Sequence, residues 1–314
     1  MMLRILIADG MEKAALEKLK NMKFEVIEKY YEPEELLEQI KNFDVLVVRS
    51  ATKVRKPVID AACETGKLKL IIRGGVGVDN IDVDYAKARG IIVRNTPNAS
   101  SASVAELVIG HMFNLARFIH NSNVTMRQGK WNKKAYEGIE ISGKTLGVIG
   151  FGRIGRETAK KAKALGMKVI YTDIAGSIKE FGEYKYCPMD ELLAVADFIS
   201  LHVPYNGERA VIGREEIERM KDGAYIINCA RGGVVDEEAL IEALDSNKLS
   251  GAAMDVFVEE PAKNSPLCNH DKVSCTPHIG ASTMEAQERI GEEIVDIILD
   301  FFEESELNGR VESL

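Results

Sequence analysis

The stretch GVIGFGRIG, residues 147–155, decides how the rest of the chain is read. Its apolar start reads as a strand, Gly150-Phe151-Gly152-Arg153-Ile154-Gly155 fits G-x-G-x-x-G, and RETAKKAKALG continues as helix. Gly150 permits the tight turn, Gly152 lets backbone approach a pyrophosphate, and Gly155 lets helix pack on strand, with the first helical amides facing the phosphates. The hexapeptide alone is a weak signal, because a glycine turn that binds nothing has the same pattern. Context strengthens it: KTLGVIG precedes the turn, and MKVIYTD follows the helix and ends on Asp173, 18 residues past Gly155. An acidic group there accepts ribose hydroxyls and repels a 2′-phosphate, so NAD is favoured over NADP.

Downstream, strands are predicted at 145–150, 167–173, 197–202, 223–229, 250–255 and 272–275, with helices between them. Six parallel strands make a complete dinucleotide-binding sheet. Upstream, LRILIAD, FEVIE, DVLVVRS, KLIIRGG and IIV alternate with helical stretches 11–22, 33–42, 56–65 and 83–88, which predicts a second parallel sheet of about five strands. Between the two series, residues 98 to about 129 read as one long helix without proline, followed by the loop GKWNKKAYEGIEISGK. The tail 283–303 spaces Ile290, Ile294, Ile297, Ile298 and Phe301 as a helix face. The expected fold class is α/β, with two Rossmann-like, doubly wound parallel-sheet domains and a deep cleft between them that takes a small ligand.

At 314 residues the chain is about twice the ~150-residue prior for one domain, which agrees with that division. A net charge of −8 and the lack of a Lys/Arg run speak against nucleic acid and anionic membrane as partners. The N-terminal apolar run is too short for a secretory signal, and no run approaches a membrane span, so a cytoplasmic protein is expected. Five scattered cysteines without a CxxC pair suggest neither a disulfide framework nor a metal site.

Three segments follow late strands, where open α/β sheets bind ligands: INCARGGVVDEEAL with Arg231, AAMDVFVEEPA with Glu260, and CTPHIGAST with His278. Arginine grips a carboxylate with two parallel bonds, histidine exchanges a proton near neutral pH, and a neighbouring carboxylate orients its ring. Hydride transfer from a secondary alcohol to a nicotinamide needs a carboxylate clamp and a base beside the cofactor. Taken singly, each residue has a bland alternative: a surface ion-pair partner, a charge before Pro261, a satisfied turn histidine. His111 and His120 read as packing or capping residues of the long helix, His270 as solvated, and Cys229 as buried.

Together, GFGRIGRETA, HVP at 202–204, NCARGGVVDE, AAMDVFVEEP and TPHIGAST resemble the D-2-hydroxyacid dehydrogenase family over nearly the whole chain. The resemblance implies that His278 is the acid/base, Glu260 its support, and Arg231 the group that binds substrate carboxylate and carbonyl. It implies an NAD site formed by Gly150, Gly152, Arg153, Ile154, Gly155, Asp173, His202, Val203, Pro204, Cys229, Ala230, Arg231, Asp255, His278 and Gly280. It also implies a split layout, with 1–97 plus 283–314 as a flavodoxin-like substrate-binding domain and 98–282 as the NAD-binding domain. A homodimer or homotetramer built on the cofactor domain and the long helix is implied as well.

Within that family, VRSATKV (48–54) and IIRGGVGVDNID (71–82) look most like phosphoglycerate dehydrogenases, which start serine synthesis. Arg49, Lys53 and Arg73 place cations beside the turn Gly74-Gly75-Val76-Gly77, a set suited to a phosphate and a carboxylate on one small molecule. Lys133 and Lys134 resemble a family loop that approaches a neighbouring subunit's site. The chain ends at Leu314, whereas many phosphoglycerate dehydrogenases carry C-terminal regulatory domains, so millimolar serine is expected to leave activity unchanged. Two other readings stay open: a glyoxylate/hydroxypyruvate reductase or another D-hydroxyacid dehydrogenase, and an NAD-sensing, corepressor-like binding protein.

Overall fold

The computed structural model describes residues 3–22 and 24–311, with side chains described through residue 303. The chain forms two compact units, one of Met1–Ser100 with Ala281–Leu314, the other of Ser101–Gly280.

The first unit holds β1 (Leu3–Ile7), β2 (Phe24–Glu28), β3 (Val45–Val48), β4 (Leu70–Arg73) and β5 (Ile92–Asn95), all parallel, in the order β2-β1-β3-β4-β5. That is the flavodoxin-like order. All four residues of β3 are buried because helices cover both faces of a parallel sheet. Alternation sorts their side chains into two layers. Leu6, Leu46, Val48 and Ile71 pack with Leu36, Ile40 and Ile59, while Ile5, Ile7, Val45, Val47, Leu70 and Ile72 pack with Leu16 and Leu19. The second layer is completed by Ile290, Ile294, Val295 and Ile298 of the final helix, Met284–Val311. Burying each of these aliphatic side chains contributes about 1.5–3 kcal/mol, so the last helix is part of this unit's core.

The second unit holds β6 (Thr145–Ile149), β7 (Lys168–Thr172), β8 (Lys185–Tyr186), β9 (Phe198–Leu201), β10 (Ala224–Asn228), β11 (Leu249–Met254) and β12 (Val273–Cys275). Their order is β12-β11-β10-β9-β6-β7-β8, again all parallel. Counted from β6, this is the dinucleotide-binding order 3-2-1-4-5-6 with one strand added at the edge, and its direction of winding reverses between β6 and β9.

Two expectations are corrected. The sheet has seven strands rather than six, because β8 is only two residues long and too short to carry a periodic pattern. The long helix is two helices, Ser101–Arg117 and Ile119–Arg127, bent by 64°. The bend falls at Phe118, whose φ of 53° is left-handed, a state costing a non-glycine residue roughly 1–2 kcal/mol. Asn114 Oδ1 accepts the His120 amide across the break at 2.7 Å, and the Phe118 ring packs 6.0 Å from that of Tyr136. No single helix among the described residues is long and apolar enough to cross a membrane.

Candidate active site

The glycine turn lies at the reversal point of the second sheet. Gly150 has φ of +89°, and a Cβ there would lie 2.6 Å from the His202 carbonyl oxygen and 2.7 Å from Val203, so glycine is required where β6 and β9 run out side by side. At Gly155 a Cβ would meet the Gly150 oxygen at 2.2 Å, which is the close packing of helix on turn. Gly152 differs: a Cβ there would meet nothing within 4 Å. It is also the N-cap of helix Arg153–Ala164 and supplies no side-chain cap. First-turn amides therefore lie beside open space, which fits a pyrophosphate. Arg153 is exposed, Ile154 half-buried, and Pro204 exposed beyond His202 and Val203.

Asp173 follows β7 and does more than expected. Its Oδ2 accepts the Phe151 amide of the turn at 2.7 Å and its Oδ1 accepts the Ala175 amide at 2.9 Å. The carboxylate shapes the turn, and being half-buried it keeps lone pairs for a ribose.

Arg231, Glu260 and His278 follow β10, β11 and β12, three neighbouring strands. His278 Nδ1 lies 2.8 Å from Glu260 Oε2, with side-chain exposures of 40% and 38%. Glu260 Oε1 accepts the Phe257 amide at 3.1 Å. Burial pushes the Glu260 carboxyl up, but the His278 hydrogen bond and charge, the Phe257 amide and the Arg231 charge outweigh it and hold the group below the usual carboxylate range. An ionised Glu260 can only accept, so Nδ1 of His278 donates. Arg231 Nη1 donates to the Ala230 carbonyl at 2.6 Å, and its charge acts on Glu260.

Further residues around the three hold this set. Buried Asn228 accepts the Ala230 amide at 3.0 Å and donates to the Arg231 carbonyl at 2.9 Å, which clamps the arginine loop. Asp236 caps helix Glu237–Asp245 just beyond. A Cβ on Gly232 would stand 1.8 Å from the Phe257 oxygen, so the loops after β10 and β11 touch backbone to backbone. Asp255, expected to contact cofactor, is 1% exposed. Its oxygens accept the Thr276 hydroxyl at 2.6 Å and the Ile279 and Gly280 amides at 2.8 and 2.9 Å, while its carbonyl accepts the His278 amide at 2.8 Å. His278 itself has φ of 54°. The turn that presents the imidazole is thus pinned by one aspartate.

Two neighbours are held neutral. Burial pushes the His202 imidazole down to about 3, and its Nε2 meets Ser200 Oγ at 2.8 Å. Burial pushes the Cys229 thiol well up, which keeps it an unreactive thiol.

In the first unit, Arg49 and Arg73 stand at the ends of adjacent strands, with Val48 paired to Arg73. Asp9, beyond β1, accepts the Arg49 amide at 2.7 Å and the Thr52 hydroxyl at 2.6 Å, and buried Asn80 donates to the carbonyls of Arg49 and Thr52 at 2.8 and 2.7 Å. This loop lies at the β1/β3 switch point of the first sheet. Gly75 has φ of +141°, and a Cβ there would fall 1.5 Å from Arg73 Nη1, so the guanidinium lies against the glycine turn. Gly74 packs on Ile290 and Ile294 and its amide donates to Val48, while Val76 is partly exposed. Lys53 Nζ reaches the Ser50 carbonyl at 3.0 Å, and no carboxylate pairs with Arg49 or Lys53 among the described residues. Lys133 and Lys134 lie exposed on the short 3-10 turn Lys133–Tyr136.

The model of the D-isomer specific 2-hydroxyacid dehydrogenase NAD binding domain matches residues 109–280. A D-3-phosphoglycerate dehydrogenase of Methanocaldococcus jannaschii is 50% identical over 294 residues, 92% of this chain and 56% of that protein, so the chain spans just over half of that relative. A hydroxypyruvate reductase of Thermotoga maritima is 49% identical over 301 residues, 94% of this chain and 97% of that protein. The structure of the D-lactate dehydrogenase of Aquifex aeolicus complexed with NAD and lactic acid superposes with a TM-score of 0.84 at 32% identity, covering 96% of this chain and 95% of that one. With its glycine turn, strand order and late-strand residues in place, the chain belongs to the D-isomer specific 2-hydroxyacid dehydrogenases and binds NAD through the second unit.

Proposed function

We propose that the chain oxidises D-3-phosphoglycerate to 3-phosphohydroxypyruvate with NAD, the second unit binding cofactor and the first binding substrate. The reaction class rests on the 2.8 Å contact between His278 Nδ1 and Glu260 Oε2 at the strand ends that also carry Arg231. With Nδ1–H committed to Glu260, Nε2 of His278 takes the proton of the substrate hydroxyl, and the Glu260 charge stabilises the imidazolium that results. Arg231 grips the substrate carboxylate and orients the carbinol carbon. Bound NAD would supply the hydride acceptor for that carbon. Gly150, Gly152, Gly155 and Asp173 hold the cofactor's pyrophosphate and ribose.

The choice of a phosphorylated substrate rests on Arg49 and Lys53, cations on a built loop that no carboxylate pairs with among the described residues. A steady-state panel with NAD tests it: 3-phosphoglycerate should exceed D-glycerate and D-lactate in kcat/KM, and equal or better turnover of D-glycerate would overturn it. Hydroxypyruvate reduction is the second reading, supported by the 49% identity to the Thermotoga maritima hydroxypyruvate reductase. Replacing Arg49 separates the two, since an unphosphorylated substrate tolerates its loss.

A homodimer is supported by exposed apolar side chains gathered around the bent helices, Phe113, Ile119, Val124, Met126 and Trp131, the last 78% exposed. Light scattering that gives the mass of one chain would exclude it.

A further inference from the structure

A row of polar side chains, buried at its His111, Ser274 and Asp255 members and half-buried at Asn114 and Thr276, runs from the first of the bent helices to the turn that bears His278. Asn114 Nδ2 donates to Ser274 Oγ at 2.6 Å, Ser274 Oγ meets His111 Nδ1 at 3.0 Å, His111 Nε2 meets Thr276 Oγ1 at 3.1 Å, and Thr276 Oγ1 donates to Asp255 Oδ1 at 2.6 Å. Ser274, His111 and Asp255 are 8%, 3% and 1% exposed.

Proton counting gives this row one direction. The Asp255 carboxylate can only accept, so the single hydroxyl proton of Thr276 goes to it, and Thr276 Oγ1 must accept from His111. His111 therefore carries its proton on Nε2. Burial pushes the imidazole below its usual range while the Asp255 charge opposes this in part, so the ring keeps one proton, and Nδ1 accepts from the Ser274 hydroxyl. Ser274 in turn accepts from Asn114. Every donor points toward Asp255, and each bond polarises the next.

We infer that His111 is a positioning residue for the proton-transfer step: it acts through Thr276 and Asp255 to hold the turn that aims His278. This rests on reading His278 as the acid/base. Without the Nε2–H donor, Thr276 keeps an unsatisfied lone pair and can rotate from Asp255, which loosens the carboxylate that accepts the Ile279 and Gly280 amides. Misplacement of an acid/base by a fraction of an ångström lowers turnover without removing cofactor contacts.

The test uses the full chain and whichever 2-hydroxy acid the wild type turns over fastest, so failure of the phosphoglycerate assignment cannot be mistaken for failure of this one. His111→Leu should lower kcat about tenfold and leave KM for NAD within twofold. His111→Gln, whose amide both donates and accepts, should restore most of the loss. In a His278→Ala background the leucine substitution should have no further effect. Wild-type kcat in His111→Leu, no recovery with Gln, or an equal tenfold loss in the His278→Ala background would each overturn the inference. Retained activity in His278→Ala alone would instead remove the acid/base reading. Nitrogen-15 NMR of the wild-type ring gives a measurement independent of variant folding: the proton should be on Nε2 of His111, and a proton on Nδ1 breaks the direction of the row.

Discussion

The two units treat charge in opposite ways. In the second, ionised groups of the candidate site are matched within the unit: Glu260 to His278 and the Phe257 amide, and Asp255 to Thr276 and two amides. In the first, Asp9 and Asn80 fix the backbone of the 49–52 loop, yet Arg49 and Lys53 face no carboxylate among the described residues. A matched set is ready to move a proton repeatedly without rearranging, because its geometry is built before substrate arrives. An unmatched cation on a fixed loop is ready to bind an anion. On the proposed function, this division gives proton transfer to one unit and recognition of substrate charge to the other.

His278→Ala breaks the matched set at its centre and should have the largest effect. Loss of a positioned acid/base lowers kcat by roughly 10²-fold or more, while NAD affinity measured by titration stays near wild type. Weakened NAD binding with unchanged kcat would reverse the assignment.

Arg49→Gln tests the unmatched side. A charge-assisted hydrogen bond is worth about 1.5–3 kcal/mol, so kcat/KM for 3-phosphoglycerate should fall by roughly 10- to 100-fold, with unphosphorylated hydroxy acids nearly unaffected. An equal loss for both classes would mean that Arg49 supports the fold and does not read phosphate.

The strands, the glycine turn and the three late-strand segments were legible because each carries a local signal: an apolar run, a fixed glycine spacing, or a charged residue just past a strand. The remainder is long-range. Asp9 meets Thr52 across 43 positions and His111 meets Thr276 across 165, and nothing near either residue in sequence announces its partner. His111 reads from its place on the helix as a packing or capping residue; it is buried, but both ring nitrogens are in use. The bend at Phe118 was hidden for a different reason, since neither glycine nor proline marks it and a polar bracket from Asn114 sustains it.

Asp173 shows the same layering and calls for a refined test. Because its Oδ2 accepts the Phe151 amide, alanine would disturb the turn and weaken both cofactors. Asn keeps an acceptor for that amide while removing the charge that repels a 2′-phosphate. Asp173→Asn should raise kcat/KM with NADP relative to NAD by about tenfold, about 1.4 kcal/mol. An unchanged ratio would show that discrimination lies elsewhere.

Acid stability compares the units directly. All five histidines, 111, 120, 202, 270 and 278, fall in the second unit. His202 is held down to about 3 by burial, and burial lowers His111 as well. A histidine whose folded pKa lies below its unfolded value stays neutral in the fold and takes a proton on unfolding. Its stabilising share is therefore full above about 6.5 and is lost as pH falls from there toward the folded value, at up to about 1.4 kcal/mol per pH unit for one group. The Glu260 contribution, from a carboxyl held below its usual range, is lost only later, as pH falls through that lowered value. Between pH 7 and 5, hydrogen exchange should therefore speed in the core strands of the second unit, after correction for intrinsic rates, and change little in those of the first. His202→Asn should flatten this dependence by removing the imidazole that burial holds at about 3. Equal acid sensitivity in both sheets would show that the pH response comes from general carboxylate chemistry and not from the buried imidazoles.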